Sequence, residues 1–320
     1  MRILFGWYDE NGEEIEYDNP FEFSEAELFW ASLTVGAPSL TDAIQNILDS
    51  PAFALHKWYA VRSVVKIHGG ESTLVPGYKN LDQSEKVVLS YWAGMIFAKL
   101  VGEKVLHVPW MAHARLLKKQ KRLTVIPPTT KSLPDLVGLD RSEKWHILEA
   151  KGLQKRPSAN QRINYKAQAL RIGKVDGEKP ASRNYCITNI RSPLSIELHD
   201  PDKIVKDSVE FNIDPIDFQQ YYYKPFVEFF SKPDNTEDND DYIIYKKVVC
   251  DTIDKRKCQI GIVRDILEQA KMQSEKKKAD SKDLVIRSIE PKFLKSQGHE
   301  SDEPDTYIGS DGIAVKLLPL

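Results

Sequence analysis

The sequence predicts an α/β protein built on a mixed central sheet flanked by helices, with α+β additions at both ends. Two observations carry this prediction. Between residues 81 and 190 the apolar pattern runs helix, strand, strand, strand, helix, strand, an order that suits a mixed sheet better than a doubly wound βαβ array. The run WHILEA at Trp145 to Ala150 is apolar enough for a strand covered on both faces. At 320 residues the chain has length for one or two domains, and its 41% hydrophobic and 29% charged composition is that of a globular protein. We divide it into an N-terminal segment (1–75), a core (76–200) and a C-terminal region (201–320), with a soft boundary near residue 200.

Residues 1–75 read as a small α/β segment: a strand at Arg2 to Tyr8, a turn at Asn11-Gly12, and an amphipathic helix near Ser24 to Leu33. A second helix is expected after Ser39 or Thr41, and a strand-rich tail from Tyr59 to His68 ends at Gly69-Gly70. From Leu81 the pattern is helical, with Asp82 as N-cap, Glu85 three residues on, and Val88, Trp92 and Ile96 as an inward stripe. Lys104 to Trp110 reads as the first core strand, Ala112 to Arg122 as a basic helix or loop, and Pro127-Pro128 as a break. Strands follow at Leu133 to Leu139 and Lys144 to Lys151, joined by a turn at Asp140 to Glu143, and Gly152 ends the second. Ser158 to Gly173 is a polar, basic helix with Ile163, Ala167 and Leu170 inward, and Asn184 to Ile190 is the last core strand.

In the final third, Asp214 to Phe230 is aromatic-rich, and Tyr221 to Tyr223 there serve either a core or base stacking. Asp234 to Asp241 is an acidic stretch expected in an exposed loop, which would screen a basic groove. Asp251 to Lys278 reads as one long helix with Ile260, Val263, Ile266, Leu267 and Ala270 inside, and Tyr307 to Leu317 as a hairpin around Gly309 to Gly312.

The net charge of -2 hides a polar distribution. From His113 to Lys174 fifteen basic residues face only Asp135, Asp140, Glu143 and Glu149, whereas the first thirty residues set nine acids against Arg2. The acidic end is expected to be a solvated face. Cys186, Cys250 and Cys258 form no CxxC pair, which argues against a zinc knuckle or disulfide framework and for a reducing, cytoplasmic setting. The most apolar stretch, Val87 to Ala98, falls short of the roughly 20 residues of a membrane span. No GxSxG elbow or GxxxxGK[ST] loop is present, so a serine hydrolase and a self-contained P-loop enzyme lack support. His199-Asp200-Pro201-Asp202 offers metal-ligand types without a second cluster and reads as a turn at a strand end.

Side chains alternate along a strand, so Glu149 and Lys151 share a face, and pairing with the preceding strand brings Asp135 beside them. Two carboxylates and an ammonium at a sheet end suit phosphodiester hydrolysis: hard oxygens hold Mg²⁺, and the lysine orients or deprotonates water or offsets phosphate charge. Pro134-Asp135 followed by Glu149-Ala150-Lys151 resembles the PD-(D/E)xK nuclease superfamily, over roughly residues 80 to 195. The resemblance implies a restriction-endonuclease-like fold, Asp135, Glu149 and Lys151 as catalytic residues, and Mg²⁺, or Mn²⁺, on Asp135, Glu149 and the Ala150 carbonyl.

It further implies an acid from the preceding helix, for which Glu85 is the candidate although it also completes a capping box, and Lys166 or Gln168 from the following helix. Arg115, Lys118, Lys119, Lys121, Arg122, Lys155, Arg156, Arg162, Lys166 and Arg171 would then hold a phosphate backbone. The expected activity is a Mg²⁺-dependent endonuclease or exonuclease on DNA, with RNA not excluded, in restriction or antiviral phage defence. Alternatives are a catalytically silent nucleic-acid-binding or assembly subunit, and a nuclease activated by a partner such as a separate ATPase; a homodimer would suit cutting of both strands.

Overall fold

The computed structural model describes residues 1–320 except 10, 16–19, 36–49, 69–70, 129, 131, 201–207, 232–235, 238–241, 249–257, 276–285, 288, 290–291, 295–304 and 319–320. The first strand, β1 (Arg2–Tyr8), lies where expected and is flanked antiparallel by the short β2 (Glu14–Ile15) and β3 (Phe21–Glu22). Ser24 and Glu27 form a capping box that starts α1 (Glu25–Thr34). Glu27 is 7% exposed and pairs with Lys104 at 2.7 Å, so the acidic end is not wholly a solvated face.

The helix expected after Ser39 or Thr41 lies outside the described residues. The strand-rich tail is a correction: Tyr59 to Val64 belong to α2 (Ser50–Val64), and only β4 (Val65–His68) is extended, pairing with β5 (Glu71–Leu74). Leu55, Trp58, Val61 and Val64 are buried at a spacing of three, which a helix face satisfies and a strand does not.

After a 3-10 turn at Pro76–Asn80, Asp82 caps α3 (Gln83–Lys104). Its burial changes lengthwise rather than around the axis. Residues 93–103 are buried on every side, while Val87 and Val88 are exposed, so Val88 is not part of an inward stripe. Nor is Lys104 to Trp110 a strand: the N–H groups of Val105 and Leu106 donate back to the Val101 carbonyl, which prolongs the helix end, and the strand β6 is Trp110–His113. A short α4 (Ala114–Lys119) and β7 (Thr124–Ile126) precede the core hairpin β8 (Leu136–Leu139) and β9 (Trp145–Leu153). Asp140 closes the turn between them by accepting from the N–H groups of Ser142 (2.7 Å) and Lys144 (2.9 Å).

α5 (Ala159–Leu170) follows, capped by Ser158, and then β10 (Ile172–Val175), β11 (Ser182–Asn189) and β12 (Ser195–His199). Gly173 therefore sits in a strand and not at a helix end. The inner face of α5 is also corrected, since Ile163 is 63% exposed and Ala167 is exposed, and Ala169 and Leu170 are the buried positions. Tyr165, Ala169 and the half-buried Arg162 recur at helical spacing toward the sheet.

The main sheet has ten strands, in the order β4-β5-β1-β12-β11-β9-β8-β6 with β2 and β3 added on β1. It is mixed: β9 runs parallel to β11 and antiparallel to β8, and β1 runs parallel to β12. The N-terminal strand is thus hydrogen-bonded into the sheet that holds the Glu149 strand. α3 lies on the face of β9 that carries Gly152, and α5 on the face that carries Lys151, giving helix, sheet and helix layers.

The remaining chain adds β13 (Val209–Asn212), which joins β10 and β7 in a small sheet, and α6 (Pro215–Ser231). Tyr221, Tyr222 and Tyr223 on α6 are 6%, 0% and 1% exposed, so they belong to the core and their faces are closed to bases. A six-stranded antiparallel sheet contains β14 (Thr236–Glu237), β15 (Ile243–Val248), β16 (Cys258–Val263), β17 (Lys292–Leu294), β18 (Asp305–Ile308) and β19 (Ile313–Leu317), with α7 (Arg264–Glu275) after β16. Of the single helix expected over Asp251 to Lys278, residues 251–257 and 276–278 lie outside the described residues, and the rest is β16 then α7. Cys258 to Val263 is buried at every position, Gln259 included, as suits a strand covered on both faces. Of the acidic stretch at 234–241, only β14 is described. The C-terminal hairpin forms as expected from β18 and β19.

Candidate active site

β9 pairs with β11 along its length, from His146 opposite Ser182 to Leu153 opposite Asn189, but with β8 only from Trp145 to Leu148. β8 begins at Leu136 rather than Leu133, because Pro134 has no N–H to give to a ladder. Where the two backbones part, side chains take over the hydrogen bonds. The Ala150 N–H donates to Asp135 Oδ2 (3.1 Å), and the Asp135 N–H donates to Glu149 Oε2 (3.1 Å). Lys151 Nζ donates to Glu149 Oε1 and lies 3.6 Å from Asp135 Oδ2. Asp135, Glu149 and Lys151 are therefore together in space, held by reciprocal bonds between two diverging strands.

Glu149 is 1% exposed, whereas the Asp135 and Lys151 side chains are 29% and 22% exposed, so the group opens to solvent through its outer two members. Burial, then the Asp135 charge, push the Glu149 carboxyl up to about 7 against the pull of Lys151. For Lys151, burial works to lower the ammonium pKa, but Asp135 and Glu149 outweigh it and the net direction is up. Two carboxylates with one ammonium leave an excess of negative charge that a divalent cation would relieve. In a strand the N–H and C=O of one residue point to the same side, so the Ala150 carbonyl also faces Asp135. Among the described residues no group of three or more His, Cys, Asp or Glu side chains is placed to hold a metal. Two carboxylates and a carbonyl instead fit Mg²⁺, which keeps several of its waters.

Gly152 and Gly94 set the depth of this arrangement. A Cβ on Gly152 would stand 1.6 Å from the Ser90 carbonyl oxygen, and one on Gly94 would stand 2.6 Å from the Gly152 nitrogen. Helix and strand backbones touch there, one residue beyond Lys151. Gly152 thus does not end the strand; it admits α3.

The other expected residues are placed differently. Glu85 is exposed and accepts the Asp82 N–H (2.8 Å), so it caps α3 about 9 Å along the helix axis from Tyr91. On α5 the residue that meets Lys151 is Tyr165, with the ammonium 5.4 Å from its ring centroid, rather than Lys166 or Gln168, which are half-buried. Arg162 donates to Glu197 (2.7 Å) and contacts His199 (3.2 Å), and Arg122 donates to Asp217 (2.7 Å), so both are engaged in holding elements together. His199 is the last residue of β12 and stacks between Tyr185 and Tyr8 at 4.4 and 4.7 Å. Lys118 is half-buried, while Arg115, Lys119, Lys121, Lys155, Arg156 and Arg171 are exposed.

Tyr165 and Tyr91 were missed by sequence reasoning. Tyr91 feels both Asp135 and Arg115, and it follows Ser90, whose carbonyl meets Gly152. The signal for Tyr165 was its helical spacing from Arg162 and Ala169, whereas Tyr91 lies three residues from Val88, which is exposed rather than inward. His113, also coupled to Asp135, is pushed down to about 4 by burial and by the nearby Lys57.

No family model matches the chain, and no curated protein or solved structure is significantly similar to it. Among the described residues no helix is long and apolar enough to cross a membrane.

Proposed function

We propose that the chain is a metal-dependent nuclease of the PD-(D/E)xK superfamily, with its restriction-endonuclease-like core in β6, β8, β9 and β11 between α3 and α5. What supports this is the convergence of Asp135, Glu149 and Lys151 where β8 and β9 part. Asp135, Glu149 and the Ala150 carbonyl would hold Mg²⁺, with Mn²⁺ as a substitute. The ion, when bound, supplies an acidic water and charge compensation for a phosphodiester. Lys151 stands against both carboxylates at the mouth of the group, where its ammonium orients the attacking water and offsets charge on the phosphate oxygens. Glu149, nearly closed to solvent, would hold the cation in its ionised form, so its burial would couple affinity to pH. The exposed Arg115, Lys119, Lys121, Lys155, Arg156 and Arg171 supply phosphate contacts without sequence readout.

The test is cleavage of plasmid, linear and single-stranded DNA, and of RNA, in Mg²⁺, Mn²⁺ or EDTA. Lys151→Ala and Glu149→Ala should each lower the metal-dependent rate by about 100-fold or more, with circular dichroism to check the fold. Cleavage that persists in both variants would sink the assignment. Binding without cleavage under every condition would instead favour a silent nucleic-acid-binding subunit.

A further inference from the structure

The start of α5 has little to bury. Ser158 to Gln161, Ile163 and Asn164 are all exposed, and the apolar contacts of the helix come later, from Tyr165, Ala169 and Leu170. Arg162 is the half-buried residue of these first turns, and its guanidinium reaches across to β12, donating from Nη1 to Glu197 Oε2 at 2.7 Å. The docking of the helix start therefore depends on one charged hydrogen bond.

A second group able to carry positive charge stands at the same oxygen. His199 Nε2 lies 3.3 Å from Glu197 Oε2 and 3.2 Å from Arg162 Nη1, while Glu197 Oε1 accepts from Asn189 Nδ2 at 2.9 Å. Stacking between Tyr185 (4.4 Å, 5° between planes) and Tyr8 (4.7 Å, 17°) holds the imidazole in its plane. A guanidinium only donates, so the neutral ring accepts at Nε2 and carries its proton on Nδ1. Protonation turns Nε2 into a donor: its N–H then opposes the Arg162 N–H, like charges face each other, and Glu197 Oε2 is the acceptor left to it. An ordinary imidazole makes this change between about pH 5 and 8. Burial would raise the Glu197 carboxyl, but bonds from His199, Arg162 and Asn189 hold it down at about 2, so it stays ionised throughout. The other titratable or charged groups around the ring are the phenols of Tyr8 and Tyr185, both raised by burial, Glu14 paired opposite Tyr8, and Asp200 next in the chain.

We propose that His199 is a pH-sensitive latch on α5: when its imidazole gains a proton, His199 takes over Glu197, Arg162 is released to solvent, and the first turns of the helix loosen. The latch closes as pH rises and opens as it falls. Tyr165 follows Arg162 by one turn and lies against Lys151, with the ammonium 5.4 Å from its ring centroid, so an open latch would slacken one wall of the candidate active site. That last consequence rests on the nuclease reading; the latch itself does not.

The test is hydrogen–deuterium exchange of the full chain in EDTA at about pH 8 and about pH 5, read by mass spectrometry on peptides covering α5 and corrected for the intrinsic pH dependence of exchange. Protection at the start of α5 should fall roughly tenfold at the lower pH, the size of one charge-assisted hydrogen bond, with α3 on the opposite face of the sheet unchanged. His199→Phe keeps a ring in the stack but cannot take the proton, and it should hold the higher protection at both pH values. Arg162→Met, at a half-exposed position that folding tolerates, should show the lower protection at both. Wild-type protection that does not change with pH, a pH dependence that persists in either variant, or an equal loss in α3 would overturn the latch. No cleavage is read, so a chain that cuts no nucleic acid can still show the latch, and a failed latch leaves the nuclease reading untouched.

Discussion

Glu149 is a buried carboxyl whose protonation responds to pH near neutrality. Its folded carboxyl pKa is raised to about 7, so without metal the folded chain keeps a proton that the unfolded chain gives up near 4.5. The contribution of this group to stability is then present below about 4.5 and is lost as pH rises through about 7. A cation needs the ionised form, which reverses the trend. Mg²⁺ affinity should fall about tenfold per pH unit below 7 and level off above it. In a thermal melt the gain on adding Mg²⁺ should therefore be larger at pH 8 than at pH 5.5, and Glu149→Gln should abolish the difference. A gain independent of pH would remove Glu149 from the metal site. The residue types and their strand alternation were readable in EAK, whereas the burial that raises this carboxyl was not, since it depends on β11 and on Asp135 from another strand.

At the scale of elements, the site depends on a split hairpin and on a glycine pair. The ladder stops at Leu136 opposite Leu148 because of Pro134, which lies inside the strand that periodicity alone predicts from Leu133. Gly152 looked like punctuation, although what it allows is contact between α3 and β9. Gly152→Ala should force these backbones apart and cost roughly 3 kcal/mol or more, at the upper end for overpacking. It should also lower cleavage by displacing Lys151. Urea denaturation beside the cleavage assay checks this; a change below about 0.5 kcal/mol would mean that the helix slides freely. Periodicity placed α1, α3, β9 and β11 well. It placed α5 but misjudged its inner face, because the polar Arg162 anchors that helix to Glu197 while Ile163 faces water, and it read Cys258 to Val263 as helix because Ile260, Val263, Ile266, Leu267 and Ala270 keep a helical spacing across the junction of β16 and α7.

Across the whole molecule, the C-terminal hairpin is locked into the core by buried polar groups. Asp311, 0% exposed, accepts from Trp30 Nε1 (3.1 Å), Tyr222 (2.6 Å) and its own turn at Ile313 (3.0 Å), and the Tyr223 hydroxyl donates to the Asp311 carbonyl (2.6 Å). The Lys99 ammonium, also fully buried, sits 4.5 Å from the Trp30 ring and donates to the Pro109 carbonyl. Glu103 accepts the Ser310 N–H (2.7 Å), so α1, α3, α6 and the hairpin meet at one place. Asp311→Ala, which leaves Lys99 with one neutralising acid fewer, should destabilise the chain by about 3–5 kcal/mol, read from urea melts; less than about 1 kcal/mol would show that the cluster is not cooperative. By itself the sequence determined the α/β class, the helices α3 and α5, the strands β8, β9 and β11, and the candidacy of Asp135, Glu149 and Lys151, because these follow from local periodicity and spacing. Only the tertiary structure decided that Asp135 lies beside Glu149, that Tyr165 lies against Lys151, that Arg122 and Arg162 are taken up in ion pairs, and that β1 shares the site's sheet. Those depend on contacts between residues far apart in the chain, where burial and charge pairing outweigh local preference.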